Sequence, residues 1–256
     1  MIVLLSPAKK FDFSNEYILQ KSTNPIFLNE ANELAYILKD FSSEKISSLM
    51  NISPQLGKLN YERYKDFSVK PQKDNLKQAA FAFAGDTYVG LEAKSINPKN
   101  FDFFQKHIRI ISGLYGLLKP FDNIQAYRLE MGSKLKNKKG KDLYSYWNTK
   151  IAEKLNEEVN SFGLEFFINL ASEEYFKPVK KYLEKPIIIP KFFEKRNGEL
   201  KMISFLAKKA RGKMARFIVD NKILNIEDIK QFSEDGYIYN KELSNNQELF
   251  FVKENK

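Results

Sequence analysis

The chain has 256 residues, 43% apolar and 29% charged, with 42 Lys and Arg against 32 Asp and Glu for a formal net charge of +10. With no cysteine and one histidine, His107, it excludes disulfides, thiolate metal sites and thiol-based peroxide reduction, and offers little for histidine-rich metal sites or triads. No run approaches the roughly 20 apolar residues that span a bilayer, and MIVLLSPAKK lacks the basic start and apolar length of a signal peptide, so a cytoplasmic chain without a membrane partner is expected.

Short apolar runs recur along the chain, each closing on glycine or polar residues, and their length and branched or aromatic content suit buried strands. MIVLLSPAK is the first. Residues 29–41 then read as an amphipathic helix with Leu34, Ile37, Leu38 and Phe41 on one stripe. EKISSLMNISPQLGKLNYERYKDF, residues 44–67, reads as two helices around a turn at Pro54 and Gly57, the second carrying Lys58, Tyr61, Arg63 and Tyr64. It resembles a helix-hairpin-helix element, a candidate insertion within 29–67 that offers N–H groups and basic side chains to phosphates without reading bases.

AAFAFAGDTYVG at 79–90 and IRIISGLYG at 108–116 are the next strand candidates. In FDNIQAYRLEMG, residues 121–132, alternation puts Arg128 and Glu130 on one face and Tyr127, Leu129 and Met131 on the other. Arg128 can there meet a phosphate or pair with Glu130. After the basic stretch KLKNKKGKDLY comes a helix over 145–159, with Trp147, Ile151, Leu155 and Val159 on one side. EFFINLAS (165–172), KPIIIPKFF (185–193) and KMISFLAKK (201–209) complete the strand candidates, with a hairpin turn at Asn197 and Gly198. Together these elements predict one α+β (mixed α/β) domain over 1–256, a mixed sheet flanked by helices.

SFLAKKARGKMARFI, residues 204–218, projects as a helix with Ala207, Ala210, Met214, Phe217 and Ile218 on one side and Lys208, Lys209, Lys213 and Arg216 on the other. Arg211 falls at the edge of the apolar arc, where a partly buried guanidinium needs a carboxylate or a bound anion.

Five runs end in SPAKK, GDTYVG, SGLYG, NLASEEY and AKKARG, which predicts a shared crevice outside the carboxyl ends of strands. Neither G-x-G-x-x-G nor G-x-x-x-x-G-K-[ST] occurs, so no cofactor is implied. Asp86, Asp122, Glu130, Glu173 and Glu174 are carboxylates near strand ends; Asp86 and Glu130 are the acid/base candidates, capping or ion pairing being the ordinary role of such groups. The basic balance favours an anionic partner, nucleic acid or a phosphorylated metabolite.

SPAKK, FAGDTYVGL, ISGLYGLLKPFDNIQAYRLEMG, KGKDLY, INLASEEYFK and KMISFLAKKARGKMARFI together resemble the ordered blocks of the YaaA peroxide-stress proteins over nearly the whole chain. Lys10 stands where that family has threonine or a similar residue, and Asn148 where a glycine follows the tryptophan. The resemblance implies a cytoplasmic protein of mixed α/β fold that binds DNA through a basic cleft and a helix-hairpin-helix element, keeps free iron low under peroxide stress, and has no established reaction. The expected DNA- or anion-binding residues are Lys9, Lys58, Arg63, Arg128, Lys208, Lys209, Arg211 and Arg216. The alternative is an enzyme acting on a nucleotide or phosphorylated small molecule in the same cleft, with Ser6 or Tyr88 orienting the substrate. Direct iron binding is disfavoured, because no Glu-x-x-His pair or His-carboxylate triad is present.

Overall fold

Residues 1–14 and 21–254 are described by a computed structural model. The strands are β1 (Ile2–Leu5), β2 (Lys77–Gln78), β3 (Ile108–Ser112), β4 (Gly116–Leu118), β5 (Asn123–Ile124), β6 (Phe167–Asn169), β7 (Ile187–Arg196), β8 (Glu199–Lys201), β9 (Ile238–Asn240) and β10 (Glu248–Glu254). The helices are α1 (Leu28–Lys39), α2 (Ser43–Met50), α3 (Pro54–Asp66), α4 (Ala79–Ala82), α5 (Asp86–Leu91), α6 (Phe101–His107), α7 (Leu143–Trp147), α8 (Lys150–Ser161), α9 (Glu173–Lys180), α10 (Ser204–Asp220) and α11 (Ile226–Ile229).

Among the described residues one sheet of eight strands runs in the order β4-β3-β1-β6-β7-β10-β9, with β8 paired to β7, and β2 pairs with β5 in a separate ribbon. β3, β1, β6 and β7 are mutually parallel and their carboxyl ends share one edge, whereas β4, β8 and β9 run antiparallel to their neighbours. The sheet is mixed, as the sequence pattern requires. β1 and β3 are buried at every position, because parallel strands in the middle of such a sheet are covered on both faces. β7 instead alternates buried and half-buried residues through Glu194. Its Phe192 packs against Phe232, Tyr237 and Phe251, while Phe193 stacks on Phe250 on the other face.

Three expected elements are corrected. Residues 79–90 hold no strand: α4 and α5 flank an extended Phe83 that bridges to Phe11, so GDTYVG is a helix start. In 201–209 only Lys201 is strand, and α10 opens at Ser204, so AKKARG lies within a helix and not after a strand. The helix expected over 145–159 is two helices, α7 and α8, broken at Asn148, whose φ of 42° and ψ of −119° lie where a side chain strains the backbone and glycine does not. That is the position at which the resemblance drawn from sequence leads one to expect glycine.

The predicted hairpin at 193–205 forms, with Asn197 and Gly198 at φ 51° and 81° joining β7 to β8. The helical pair is α2 and α3, with Asn51 in the left-handed conformation ending α2 and Ser53 capping α3 through the Leu56 amide. Gly57 is not in the turn. It lies inside α3, where a β-carbon would stand 1.8 Å from Ser47 Oγ of α2, so the glycine permits close helix packing. A similar approach joins α5 to α10: a β-carbon on Gly212 would stand 1.8 Å from the Thr87 carbonyl oxygen, and one on Gly90 2.1 Å from the Lys209 carbonyl oxygen.

Candidate functional site

Four of the five polar segments singled out by sequence meet at the edge where β1, β3 and β6 end. Ser6 follows β1; its Oγ accepts from the Ser172 amide at 2.9 Å, tying the end of β1 to the loop after β6. Tyr88 of α5 donates its hydroxyl to the Ser6 carbonyl at 2.9 Å, bringing GDTYVG against SPAKK. Gly113, just past β3, lies under the 121–132 segment so closely that a β-carbon would stand 2.3 Å from the Leu129 carbonyl oxygen. The Gly132 amide donates to Glu174 at 2.9 Å, closing the ring at α9.

Residues 127–131 alternate as the sequence predicts: Tyr127, Leu129 and Met131 are buried, while Arg128 and Glu130 face the crevice side by side. Glu130 Oε1 accepts from Lys9 Nζ at 2.7 Å and from Arg128 Nη2 at 3.0 Å. Arg128 is 13% exposed, and its Nε is buried without a hydrogen-bond partner among the described residues. A guanidinium so placed has a donor left over for an incoming acceptor.

The helical pair adjoins this cluster. Tyr64 of α3 donates to the Arg128 carbonyl at 2.7 Å, a contact across 64 residues of sequence. Burial and then the neighbouring Arg128 charge push the Arg63 guanidinium below the usual arginine range. Arg63 lies over the Phe11 ring, 5.6 Å from its centroid, and donates to Asn60. Burial drives the phenols of Tyr64, Tyr88 and Tyr175 well up, so they act here as neutral hydroxyls. Lys58, one and a half turns before Arg63 on α3, is exposed.

This arrangement of loops, with its Lys9, Arg128 and Glu130 cluster, lies in a chain whose residues 1–243 match the family model described as peroxide stress protein YaaA. The chain belongs to the YaaA peroxide stress protein family. Membership places it in the response to peroxide stress. A UPF0246 protein of Saccharophagus degradans is 46% identical over 254 residues, and one of Legionella pneumophila 48% identical over 255 residues, each covering 99% of both chains.

In this YaaA family member the basic residues of α10 form a second group. Lys208 is exposed, with no hydrogen bond or ion pair among the described residues. Lys209 and Lys213 converge on Asp235, at 3.3 and 2.5 Å. Arg216 is braced within the chain by Asp220, the Glu92 carbonyl and both oxygens of Ser95. Lys213 and Arg216 are therefore half-buried and paired, not on the solvated face that the helical projection assigns them. Arg211 is half-buried and makes no hydrogen bond or ion pair among the described residues, and burial alone pulls its guanidinium below the usual range. Among the described residues no hydrogen bond or ion pair joins Arg211 to Lys9 or Arg128; α5 links the two basic groups through the Gly90 and Gly212 crossing and the Tyr88 hydroxyl.

Of the acid/base candidates, Glu130 is held between two cations, whereas Asp86 is exposed in the first turn of α5, without a hydrogen bond or ion pair among the described residues. Sequence reasoning overlooked Tyr64 as the link between the helical pair and the crevice, and Ser172 as the partner of Ser6. It also overlooked Arg109, whose signal was in plain view: an arginine inside the otherwise apolar strand IRIIS.

Proposed function

We propose that the protein binds DNA through the crevice at the ends of β1, β3 and β6, in a structure-dependent or sequence-independent manner, and that this binding is its part in peroxide resistance. The observation that carries the reading is the Tyr64 to Arg128 hydrogen bond, which makes the crevice and the helical pair one basic surface running from Lys9 through Arg128 and Arg63 to Lys58. Lys9 and Arg128 both pair with Glu130, and Arg63 adds a third positive charge close enough to Arg128 to be felt by it, which supports an anion as the guest. Lysines and arginines of this kind hold phosphates and carry no base code, so affinity is electrostatic and steeply salt-dependent. On α10, Lys208 and Arg211 extend the surface, with Lys209 and Arg216 available where DNA displaces their internal partners.

The test is a salt titration of duplex and branched DNA binding. Each phosphate that the protein no longer neutralises lowers the log–log slope by about 0.9, so Lys9→Ala/Lys58→Ala is expected to lower it by roughly 1.8 and to weaken all sequences alike. Binding indifferent to salt, or a slope unchanged in the double variant, refutes the reading. Limitation of free iron is proposed to depend on the same surface: cells lacking the protein are expected to show excess ferrous iron by spin resonance, corrected by the wild type and not by the double variant.

The unpaired Nε of Arg128 beside Lys9 also favours a second reading, a phosphorylated small molecule held in the crevice as an enzyme substrate, with Glu130 as the acid/base group. A several-degree thermal shift with one nucleotide or sugar phosphate, and none with DNA, selects that reading over the first.

A further inference from the structure

A second polar cavity opens toward the amino-terminal half of β3, about 13 Å along the strand from the crevice edge. Arg109 is fully buried there. Its Nε donates to Glu158 of α8 at 2.6 Å and its Nη1 to the carbonyls of Gln105 and Ile108 at 2.9 and 2.6 Å. Its Nη2 is buried with no hydrogen-bond partner among the described residues, the condition that burial of a charged donor penalises. The second oxygen of Glu158 lies 3.4 Å from Lys119 Nζ, and the Lys119 side chain is about one-third exposed, at 36%. Asp122 accepts from the Thr23 hydroxyl at 2.6 Å and from the Lys119 amide at 2.7 Å. These residues line a cavity of about 450 Å³ whose apolar wall is Ile26, Leu117 and Leu118, a volume in the range that holds small ligands.

We propose that this cavity binds a small organic monocarboxylate, which accepts from Arg109 Nη2 and Lys119 and lays its apolar part against Ile26, Leu117 and Leu118. The charge balance selects the class. Arg109 and Lys119 are offset by Glu158 and Asp122, so a dianion such as sulfate enters against two carboxylates, whereas a monoanion is neutralised once Asp122 takes a proton. Burial pushes the Asp122 carboxyl up to about 6, against the opposing pull of Thr23, Lys119 and Arg109. Binding therefore strengthens as pH falls from 7 toward 6. The apolar wall has no role for a bare inorganic ion and supplies contact for a carbon skeleton.

The experiment is calorimetric titration of the full chain with 3-phenylpropionate, with its amide and inorganic sulfate as controls. One-to-one binding is expected for the carboxylate alone, tighter at pH 6 than at pH 7, weakened at least about tenfold by Lys119→Met, the loss of one charged hydrogen bond, and unaffected by Lys9→Ala. Arg109 is left intact because its removal strips the buried partner from Glu158. A backbone amide spectrum matching the wild type verifies that Lys119→Met is folded. No binding at millimolar 3-phenylpropionate, equal binding of the amide, binding unchanged in Lys119→Met, or binding lost in Lys9→Ala each overturns the proposal. The last outcome moves the ligand to the crevice.

Discussion

Gly212→Ala tests the joint between α5 and α10, on which the relation between the two basic groups depends. The added β-carbon would meet the Thr87 carbonyl oxygen at 1.8 Å and the Leu91 amide nitrogen at 2.8 Å. Both are backbone atoms of a helix and cannot rotate aside, so the crossing must open by roughly 1.5 Å to reach ordinary contact. Overpacking of this kind costs about 3 kcal/mol or more, and alanine's better helix propensity returns about 1 kcal/mol. The expected net loss is therefore about 2 kcal/mol or more, read as a lower urea midpoint with an unchanged slope. Because Tyr88 of α5 holds the Ser6 carbonyl, DNA affinity should fall in the same variant although no cation is removed. A Gly212→Ala protein as stable as the wild type, or more so, would leave propensity as the only term and refute the close crossing.

Asn148→Gly is expected to stabilise the chain by about 1 kcal/mol, since it relieves a conformation at φ 42° and ψ −119° that a β-carbon opposes; a lowered denaturation midpoint would contradict the strain. His107 is buried against Phe103, its Nδ1 is 2.7 Å from the Met1 carbonyl oxygen, and burial lowers its pKa to about 4. As the chain's one histidine it gives an unambiguous proton NMR titration, and a midpoint near 6.5 would rule out that burial. The folded pKa is depressed, so the histidine's contribution is complete above the unfolded value of about 6.5 and is lost as pH falls toward 4, by up to about 3 kcal/mol. Replacing His107 with glutamine should flatten stability over that window, and a curve that keeps the wild-type slope would show that other groups carry it.

Much of the framework was legible because it rests on local pattern. The alternation of residues 127–131 set Arg128 beside Glu130, and the Asn197 and Gly198 pair specified a turn that needs two positive φ values. The meeting of SPAKK, SGLYG and NLASEEY followed from placing ligands outside strand ends, whereas Arg128 arrives from a segment outside that set. Residues 79–90 misled because a run of alternating Ala and Phe fits either period over so short a span, and here contacts with α10 and Phe11 decide the backbone. The four-residue spacing of Trp147 and Ile151 ran unbroken through Asn148, so the period could not reveal a break made by one residue's dihedral angles. Tyr64 to Arg128 and Arg109 to Glu158 join residues 64 and 49 positions apart, and no local rule pairs them.

Glu130 also affects the selectivity of the crevice. Its carboxylate already occupies Lys9 and Arg128, so any guest must compete with a tethered rival that never diffuses away. A lone phosphate recovers little from that exchange, whereas a polymer engaging Lys58, Arg63 and Lys208 at the same time compensates for it through several linked contacts. On the proposed reading of the crevice as a DNA site, the built-in competitor is a filter on valency that disfavours small phosphates. Glu130→Gln would open the crevice to them.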